Sequence, residues 1–128
     1  MISISVAILI QDILIEKFGG ARGIRDRGLL ESALSRPFQT FDNRDLYPTV
    51  IEKAAALIES IINNHPFIDG NKRIGYVLLR LFLIENDFDL EANQNEKYDF
   101  VINIASQKID FDQVCIWIIN HSANRNRH

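Results

Sequence analysis

The spacing of apolar residues restricts the fold more than any other feature of this sequence. Apolar side chains recur at steps of three and four along most of the chain, while Gly, Pro, Asp and Asn fall between the periodic segments. This spacing predicts an all-α domain of about six helices. Residues 88–90, which read Phe-Asp-Leu, are expected to form a short extended piece.

Capping and helix-stopping residues predict where the helices begin and end. The first helix is expected to end at Gly19-Gly20. The second is expected to end before Pro37, because the residue before a proline disfavours the right-handed helical conformation. A helix that is apolar nearly all round begins near Asn71 and is expected to cross the middle of the domain. Residues 124–128 are expected to fray. The predicted N-caps are Ser5, Asp26, Thr49, Asn95 and Asp110.

The length and charge of the chain favour one cytoplasmic domain. With 128 residues, of which 47% are hydrophobic, the chain can bury a sufficient core, so residues 1–128 are predicted to form a single domain. The formal net charge of −3 argues against nonspecific binding to nucleic acid or to an anionic membrane. The longest apolar runs, residues 6–10 and 114–119, are far shorter than the ~18 residues of a membrane-spanning helix. Since no basic leader precedes the first helix, the simplest expectation is a cytoplasmic protein.

Residues 37–47 allow two interpretations. They carry Phe38, Phe41 and Tyr47 among polar residues. This composition suits either a loop packed by its own aromatic side chains or an extended flap that pairs with a peptide. Packing is the favoured interpretation.

Residues 65–73 carry the strongest signal for chemistry. Lys72 and Arg73 fall in the opening turn of a helix, where unpaired N–H groups already create a positive pole, so each cation is misplaced by roughly a few tenths of a kcal/mol. A bound anion would reverse that penalty. Gly70-Asn71 lets backbone N–H groups approach a ligand closely, and a helix N-terminus preceded by glycine often binds phosphate. The expected ligand is therefore a phosphate group.

Two further residues of this segment suit phosphate chemistry. His65 is expected to continue the inward face of the preceding helix, which would place its imidazole at a cleft beside the anion site. Histidine titrates near physiological pH, so its neutral imidazole can take a proton from an attacking hydroxyl. Asp69 offers the carboxylate oxygen that magnesium usually takes alongside nucleotide phosphates.

A structural interpretation of the same segment stays open at this point. His65-Pro66 is also typical of an ordinary helix stop, and Asp69 is also typical of an N-cap. Gly70-Asn71 is a sequence that is common in turns, and Lys72 and Arg73 can pair with acidic side chains elsewhere.

Several other conspicuous residues are expected to carry no chemistry. Cys115 and Trp117 are expected to be an inert buried thiol and a core indole. His121 and His128 are expected to be solvated rather than metal-binding. The basic residues that flank the early glycines are expected to lie in a solvated loop, and they are Arg22, Arg25 and Arg27.

The residues at 65–73, His-Pro-Phe-Ile-Asp-Gly-Asn-Lys-Arg, resemble the signature of the Fic/Doc family. That signature reads His-x-Phe-x-Asp/Ala-Gly/Ala-Asn-Gly/Lys-Arg, and the form with lysine resembles the death-on-curing (Doc) toxin branch. Flanking stretches at 18–20, 23–26 and 28–34 are also similar to that branch. The resemblance covers about residues 5–90.

The resemblance implies a small all-α fold that transfers part of a nucleotide, with ATP and Mg²⁺ as cofactors. It implies that His65 activates a Ser, Thr or Tyr hydroxyl, that Asp69 holds the magnesium, and that Phe67 anchors the loop in the core. The implied nucleotide-binding residues are Gly70, Asn71, Lys72 and Arg73, with Asn71 and the backbone around Gly70 forming an anion hole and Arg73 binding a phosphate oxygen.

Two departures from the adenylylating members of the family indicate which group is transferred. Those members carry glycine where this chain has Lys72, and usually a second arginine where it has Tyr76. Arg80 lies ~10 Å along the helix axis from Arg73, so it is expected to pair with a carboxylate instead. The resemblance therefore implies a protein kinase that passes the γ-phosphate to the translation factor EF-Tu and arrests growth. AMP transfer is the alternative, which Gly70 favours because the kinase form has alanine there.

The resemblance also bears on regulation. Self-restrained relatives carry Ser/Thr-x-x-x-Glu-Gly/Asn, and this string is absent from the sequence. The implied inhibitor is a separate antitoxin encoded beside the toxin. A second alternative is a non-catalytic binding module that retains the fold, with a protein target but no chemistry.

Overall fold

Two long helices in the middle of the chain pack against each other at the centre of the fold. A computed structural model describes residues 1–124. Within that range the helices are α1 Ile4–Phe18, α2 Arg27–Ser35, α3 Val50–Asn64, α4 Asn71–Glu85, α5 Gln94–Ala105 and α6 Phe111–His121. The prediction of an all-α domain of about six helices is confirmed.

Two short antiparallel pairs of strands complete the architecture. β1 Thr40–Phe41 pairs with β2 Arg44–Asp45, and β3 Phe88–Leu90 pairs with β4 Ser122–Asn124. The predicted extended piece at 88–90 is thus confirmed.

Helix α4 crosses the middle of the domain, as its apolar sequence predicted. Its side chains Ile74, Leu78 and Leu79 are fully buried, and all six helices contribute residues to one buried cluster. Gly75 permits close packing against α3, because a Cβ placed there would lie 3.0 Å from Cγ1 of Ile62. This packing fixes the end of α3 relative to the start of α4, where residues 65–73 lie.

The predicted N-cap of α1 is wrong. Ser3, not Ser5, caps the helix, and its Oγ accepts a hydrogen bond from the Val6 backbone at 3.2 Å. Ile2 and Ala7 hold the positions of a hydrophobic staple and are both buried, so packing selects the earlier start. The predicted end at Gly19 is confirmed.

The other predicted caps are confirmed, with one exception. Asp26, Thr49 and Asp110 each accept a hydrogen bond from a backbone N–H of the first helical turn. The predicted N-cap Asn95 is wrong, because Asn93 caps α5 through a capping box with Glu96. Three residues after Asn95 the chain has a tyrosine, which cannot complete such a box.

The chain at Pro37 departs from the predicted conformation. Helix α2 ends at Ser35, before the proline, but Arg36 keeps right-handed helical angles of φ −51° and ψ −42°. Arg36–Phe38 then form a 3₁₀ turn with Pro37 in its opening positions. Proline fits there because the first N–H groups of a helical turn have no intrahelical acceptor.

Residues 37–47 are packed at both ends, as the favoured interpretation expects, and pairing with a peptide stays a prediction. The ends are packed: Phe38 meets the Phe82 ring at a centroid distance of 6.2 Å, and Tyr47 meets the Phe111 ring at 5.4 Å. The middle is an exposed hairpin, β1–β2, and Phe41 at its tip is 75% exposed. The segment is therefore a flap held at both ends.

The end of α6 is more ordered than the sequence predicted. Asn124, expected to fray, pairs with Phe88 in the β3–β4 sheet, and residues 125–128 lie outside the described part of the chain. His121, expected to be solvated, lies 2.7 Å by its Nδ1 from the Trp117 carbonyl and 2.8 Å by its Nε2 from Glu96. Its ring also stacks on Trp117, which lies one turn earlier on the same helix. His128 lies outside the described residues.

Among residues 1–124, no helix combines the length and the apolar character needed to cross a membrane.

Candidate active site

A cavity of about 640 Å³ opens beside the start of α4. Its walls come from residues 65–73, the end of α1, the first turns of α4 and one face of α5. Six of the residues that the sequence singled out line it together: His65, Asp69, Gly70, Asn71, Lys72 and Arg73. Phe67 stands apart from these six, because it is fully buried beneath the loop.

His65 reaches the cavity by a different route from the one predicted. Helix α3 ends at Asn64, and His65 adopts left-handed angles of φ 49° and ψ 55°, so it does not continue the inward helix face. The following Pro66 disfavours a right-handed helical conformation at His65, and the chain turns there. The side chain is exposed and lines the cavity, where another molecule can approach it.

The start of α4 is an uncapped positive pole. Gly70 occupies the N-cap with a left-handed φ of 81°, a conformation that favours glycine, and no side chain of residues 1–124 caps the helix. No acidic residue lies in the first turn. The free N–H groups of this turn therefore face the cavity with their partial positive charge uncompensated by the helix itself.

Lys72 and Arg73 add two full charges to this pole. Both are exposed, and within residues 1–124 neither forms an ion pair with a carboxylate. The Arg73 guanidinium instead lies 4.0 Å from the centre of the Phe18 ring, at the end of α1. The structural interpretation, in which these cations serve as partners for internal acids, thus finds no support in the described chain.

Asp69 lies at the edge of the same pole. One carboxylate oxygen accepts a hydrogen bond from the Gly70 N–H at 2.9 Å, and the other accepts one from the Ala21 N–H at 3.3 Å. The loop after α1 comes this close because residue 20 is glycine: a Cβ there would lie 2.7 Å from the Asp69 carboxylate.

The Asp69 carboxylate fits a magnesium ion shared with phosphates. Each of its oxygens keeps a further lone pair, and the side chain is exposed. The described residues hold no group of three or more His, Cys, Asp or Glu that would bind a metal by themselves. Magnesium is usually held by one or two carboxylates plus substrate phosphates, which matches this donor set.

The Asn71 side chain forms hydrogen bonds with the backbone of Phe67, four residues earlier, and so holds residues 67–71 in a loop. Its Oδ1 accepts a hydrogen bond from the Phe67 N–H at 3.0 Å, and its Nδ2 donates to the Phe67 carbonyl at 2.9 Å. The side chain is only 9% exposed. Asn71 therefore holds both backbone groups of the buried Phe67, and its own N–H belongs to the helix pole.

Gln11 is a site-forming residue that the sequence analysis missed. It is 1% exposed, and its Oε1 accepts a hydrogen bond from the Gly23 N–H at 3.0 Å. Its Nε2 donates to the carbonyls of Gly23 and Asp69 at 3.2 and 3.4 Å. One amide thus ties α1 to the glycine-rich loop and to residues 65–73. The available signal was a polar residue within an otherwise apolar helix face.

Arg25 is exposed in the loop, as expected, but its side chain makes two hydrogen bonds that the sequence did not predict. Its Nε donates to the His65 carbonyl at 2.6 Å and its Nη2 to the Asn64 carbonyl at 2.7 Å. The neighbouring Arg22 matches the expectation, since it forms an exposed ion pair with Glu16. Arg27 is also exposed and pairs with Glu31, but it is the first residue of α2 and not part of the loop.

Helix α5 provides a wall of the cavity that the sequence analysis did not assign. Lys97 adds a third cation there, with its Nζ 5.6 Å from the centre of the Tyr76 ring. Burial raises the pKa of Tyr76 to about 12, and its hydroxyl has no hydrogen-bond partner within residues 1–124. Apolar side chains complete this side of the cavity: Leu14, Val77, Val101 and Ile102. The cavity thus joins a cationic end to an apolar wall.

Three residues lie away from this site, as predicted. Arg80 pairs with Asp89 at 3.0 Å. Burial, followed by the nearby Glu52 charge, raises the pKa of Cys115 to about 11, so it stays a thiol at neutral pH and is a poor nucleophile. Trp117 stacks on the Phe100 ring at a centroid distance of 3.8 Å.

Comparison with known proteins leads to the same part of the chain. The model of the Fic/DOC family matches residues 2–83, a range that includes residues 65–73. A protein named Toxin Doc, from Mycolicibacterium smegmatis (strain ATCC 700084 / mc(2)155), is 35% identical over 108 residues. The alignment covers 83% of this chain and 83% of that protein.

We expect Asn71→Ala to destabilise the loop. The substitution leaves the N–H and carbonyl of the buried Phe67 without partners, which costs about 1–3 kcal/mol of unfolding free energy. Urea unfolding measures that loss, and hydrogen exchange of the backbone at 66–70 should accelerate. Asn63→Ala, at an exposed position two residues before His65, is the matched control and should stay within about 0.5 kcal/mol of the parent protein. Equal stability of the two variants would contradict the assigned role of Asn71.

Proposed function

The chain belongs to the Fic/Doc family, and from that premise we propose that it is a protein kinase that transfers the γ-phosphate of ATP to a protein hydroxyl. The observation that supports this most directly is the uncapped pole of α4. Two cations that pair with no carboxylate of residues 1–124 lie there, in one cavity with His65 and Asp69.

The phosphates of ATP would bind at the start of α4. Backbone N–H groups of its first turn would donate to phosphate oxygens, which bind well at a helix N-terminus. Lys72 and Arg73 would add charge-assisted hydrogen bonds, and Arg73 can contact an oxygen through two nitrogens. The apolar wall that α5 and α1 provide would suit the base of the nucleotide.

Asp69 would hold magnesium together with the phosphates. When bound, the metal would neutralise part of the phosphate charge. The hydrogen bonds from Gly70 and Ala21 would keep the carboxylate oriented toward the cavity edge.

His65 would act as the general base. A neutral imidazole at the exposed mouth of the cavity can take the proton of an incoming Ser, Thr or Tyr hydroxyl. The hydroxyl oxygen then bonds to the γ-phosphorus, and the bond from that phosphorus to the bridging β-phosphate oxygen breaks. ADP leaves with that electron pair, and the imidazolium loses its proton to solvent.

AMP transfer is the second candidate, and Gly70 is the residue that favours it. Lys72 favours γ-phosphate transfer, because a lysine side chain occupies space where adenylylating relatives have only glycine. Tyr76 also stands where those relatives carry a second phosphate-binding arginine. On balance these two positions favour the kinase reaction.

The biological role we propose is that of a toxin with a cognate antitoxin. The relative named Toxin Doc supports this assignment by its name and by its 35% identity. The proposed substrate is a translation factor similar to EF-Tu, in the cytoplasm, and the exposed flap at 37–47 would dock it. An antitoxin would restrain the enzyme. The proposed role does not include direct binding to nucleic acid.

ATP labelled separately at the α and γ phosphates distinguishes the two reactions. We expect a protein in a cell extract to be labelled from γ-labelled ATP and not from α-labelled ATP. His65→Ala should abolish the labelling, because no base remains to take the hydroxyl proton, whereas Asn63→Ala should retain it. Labelling from the α position alone would contradict the kinase assignment and establish AMP transfer. No labelling from either position would contradict both.

Growth measurements test the proposed role as a toxin. Expression of the parent chain without an antitoxin should slow growth, and His65→Ala should relieve the effect because the chemistry is lost while the binding surface remains. Asn63→Ala should stay as inhibitory as the parent. Equal growth inhibition by His65→Ala would favour the non-catalytic binding module, which acts by sequestering its target.

A further inference from the structure

The carbonyls of three consecutive residues at the end of α3 all accept hydrogen bonds from one short segment. The Arg25 side chain donates to the carbonyls of Asn64 and His65, at 2.7 and 2.6 Å. The backbone N–H groups of Arg25 and Asp26 both donate to the Pro66 carbonyl, at 2.8 and 3.1 Å. Arg25 and Asp26 therefore bind backbone carbonyls on both sides of the His65 Cα.

The two side-chain bonds of Arg25 act directly on the conformation of His65. The Asn64 carbonyl belongs to the peptide group before the His65 Cα, and the His65 carbonyl belongs to the peptide group after it. Holding both groups with one planar guanidinium fixes φ and ψ of His65 together. That fixation matters because the left-handed conformation at φ 49° is unfavourable for a residue with a Cβ.

The electrostatics of the contact are also favourable. The last carbonyls of a helix form its negative pole, and a guanidinium cation stabilises that pole. The bonds are charge-assisted and stronger than those between neutral groups. Arg25 is not among the residues that line the cavity, so its side chain acts on the site through the backbone on either side of the His65 Cα.

We propose that Arg25 is a positioning residue that presents the His65 imidazole to the cavity. The inference rests on the proposed function, in which His65 is the general base. Proton transfer requires the base to lie within hydrogen-bond distance of the hydroxyl, and small displacements of a catalytic group reduce the rate strongly.

Arg25→Lys is the informative substitution. A lysine keeps the positive charge near the helix end, but its single ammonium cannot reproduce the planar pair of bonds to two carbonyls. Arg22→Lys is the matched control, because Arg22 lies in the same loop and forms an ion pair with the exposed Glu16.

The first readout is the kinetics of γ-phosphate transfer. We expect kcat to fall at least about tenfold in Arg25→Lys while KM for ATP stays within about twofold, because the phosphate-binding pole is untouched. Arg22→Lys should match the parent protein in both parameters. Unchanged kcat in Arg25→Lys would overturn the proposal. A parallel rise of KM with a lower melting temperature would also overturn it, because it would indicate a general structural role.

The second readout does not depend on activity. The ring signal of His65 in a proton–carbon NMR spectrum is assigned by its loss in His65→Gln. That signal should shift or broaden in Arg25→Lys and stay unchanged in Arg22→Lys. An unchanged signal in Arg25→Lys would overturn the proposal. If the parent protein transfers no group from ATP, the proposed function has failed, and this spectrum alone decides the role of Arg25.

Discussion

The uncompensated positive charge at the start of α4 is the constraint on which the rest of the site depends. Free N–H groups, Lys72 and Arg73 meet there, and within residues 1–124 no carboxylate pairs with either cation. Like charges at one pole repel, so the arrangement lowers the stability of the free protein. The negative charge of a bound polyphosphate would offset that repulsion, because the N–H groups and both cations would attract its oxygens. The proposed reaction depends on this binding of phosphate.

The remaining polar contacts keep residues 65–73 in place beside that pole. Asn71 holds the backbone of Phe67, and the buried ring fastens the loop to the core. Gln11 links the loop to α1, and the segment with Arg25 binds the end of α3. Each of these side chains satisfies buried or helix-terminal backbone groups, which would otherwise destabilise an irregular loop. The loop is therefore held at its base, and His65 is exposed at the cavity, where the proposed protein substrate would enter.

Sequence reasoning succeeded where the chemistry is local. Apolar periodicity predicted the six helices, and the short stretch at 65–73 brought together the residues that line one cavity. It failed where hydrogen-bond partners lie far apart along the chain. Gln11 binds the Asp69 carbonyl, 58 residues away, and Arg25 binds the His65 carbonyl, 40 residues away. It also missed Lys97, because α5 lies beyond residues 5–90, which the resemblance covers. The caps at Ser5 and Asn95 were wrong because a second capping residue lies two positions earlier, and packing or a capping box selects between them.

Calorimetric titration with Mg-ATP tests the central claim most directly. The comparison is between the parent protein, the double variant Lys72→Met with Arg73→Met, and Lys108→Met, an exposed position outside the cavity. We expect the double variant to bind Mg-ATP at least about a hundredfold more weakly, since each charge-assisted hydrogen bond to phosphate contributes about 1.5–3 kcal/mol. Adenosine, which has no phosphate, should bind all three proteins equally, and Lys108→Met should match the parent for both ligands. Equal affinity of the parent and the double variant for Mg-ATP would contradict the account.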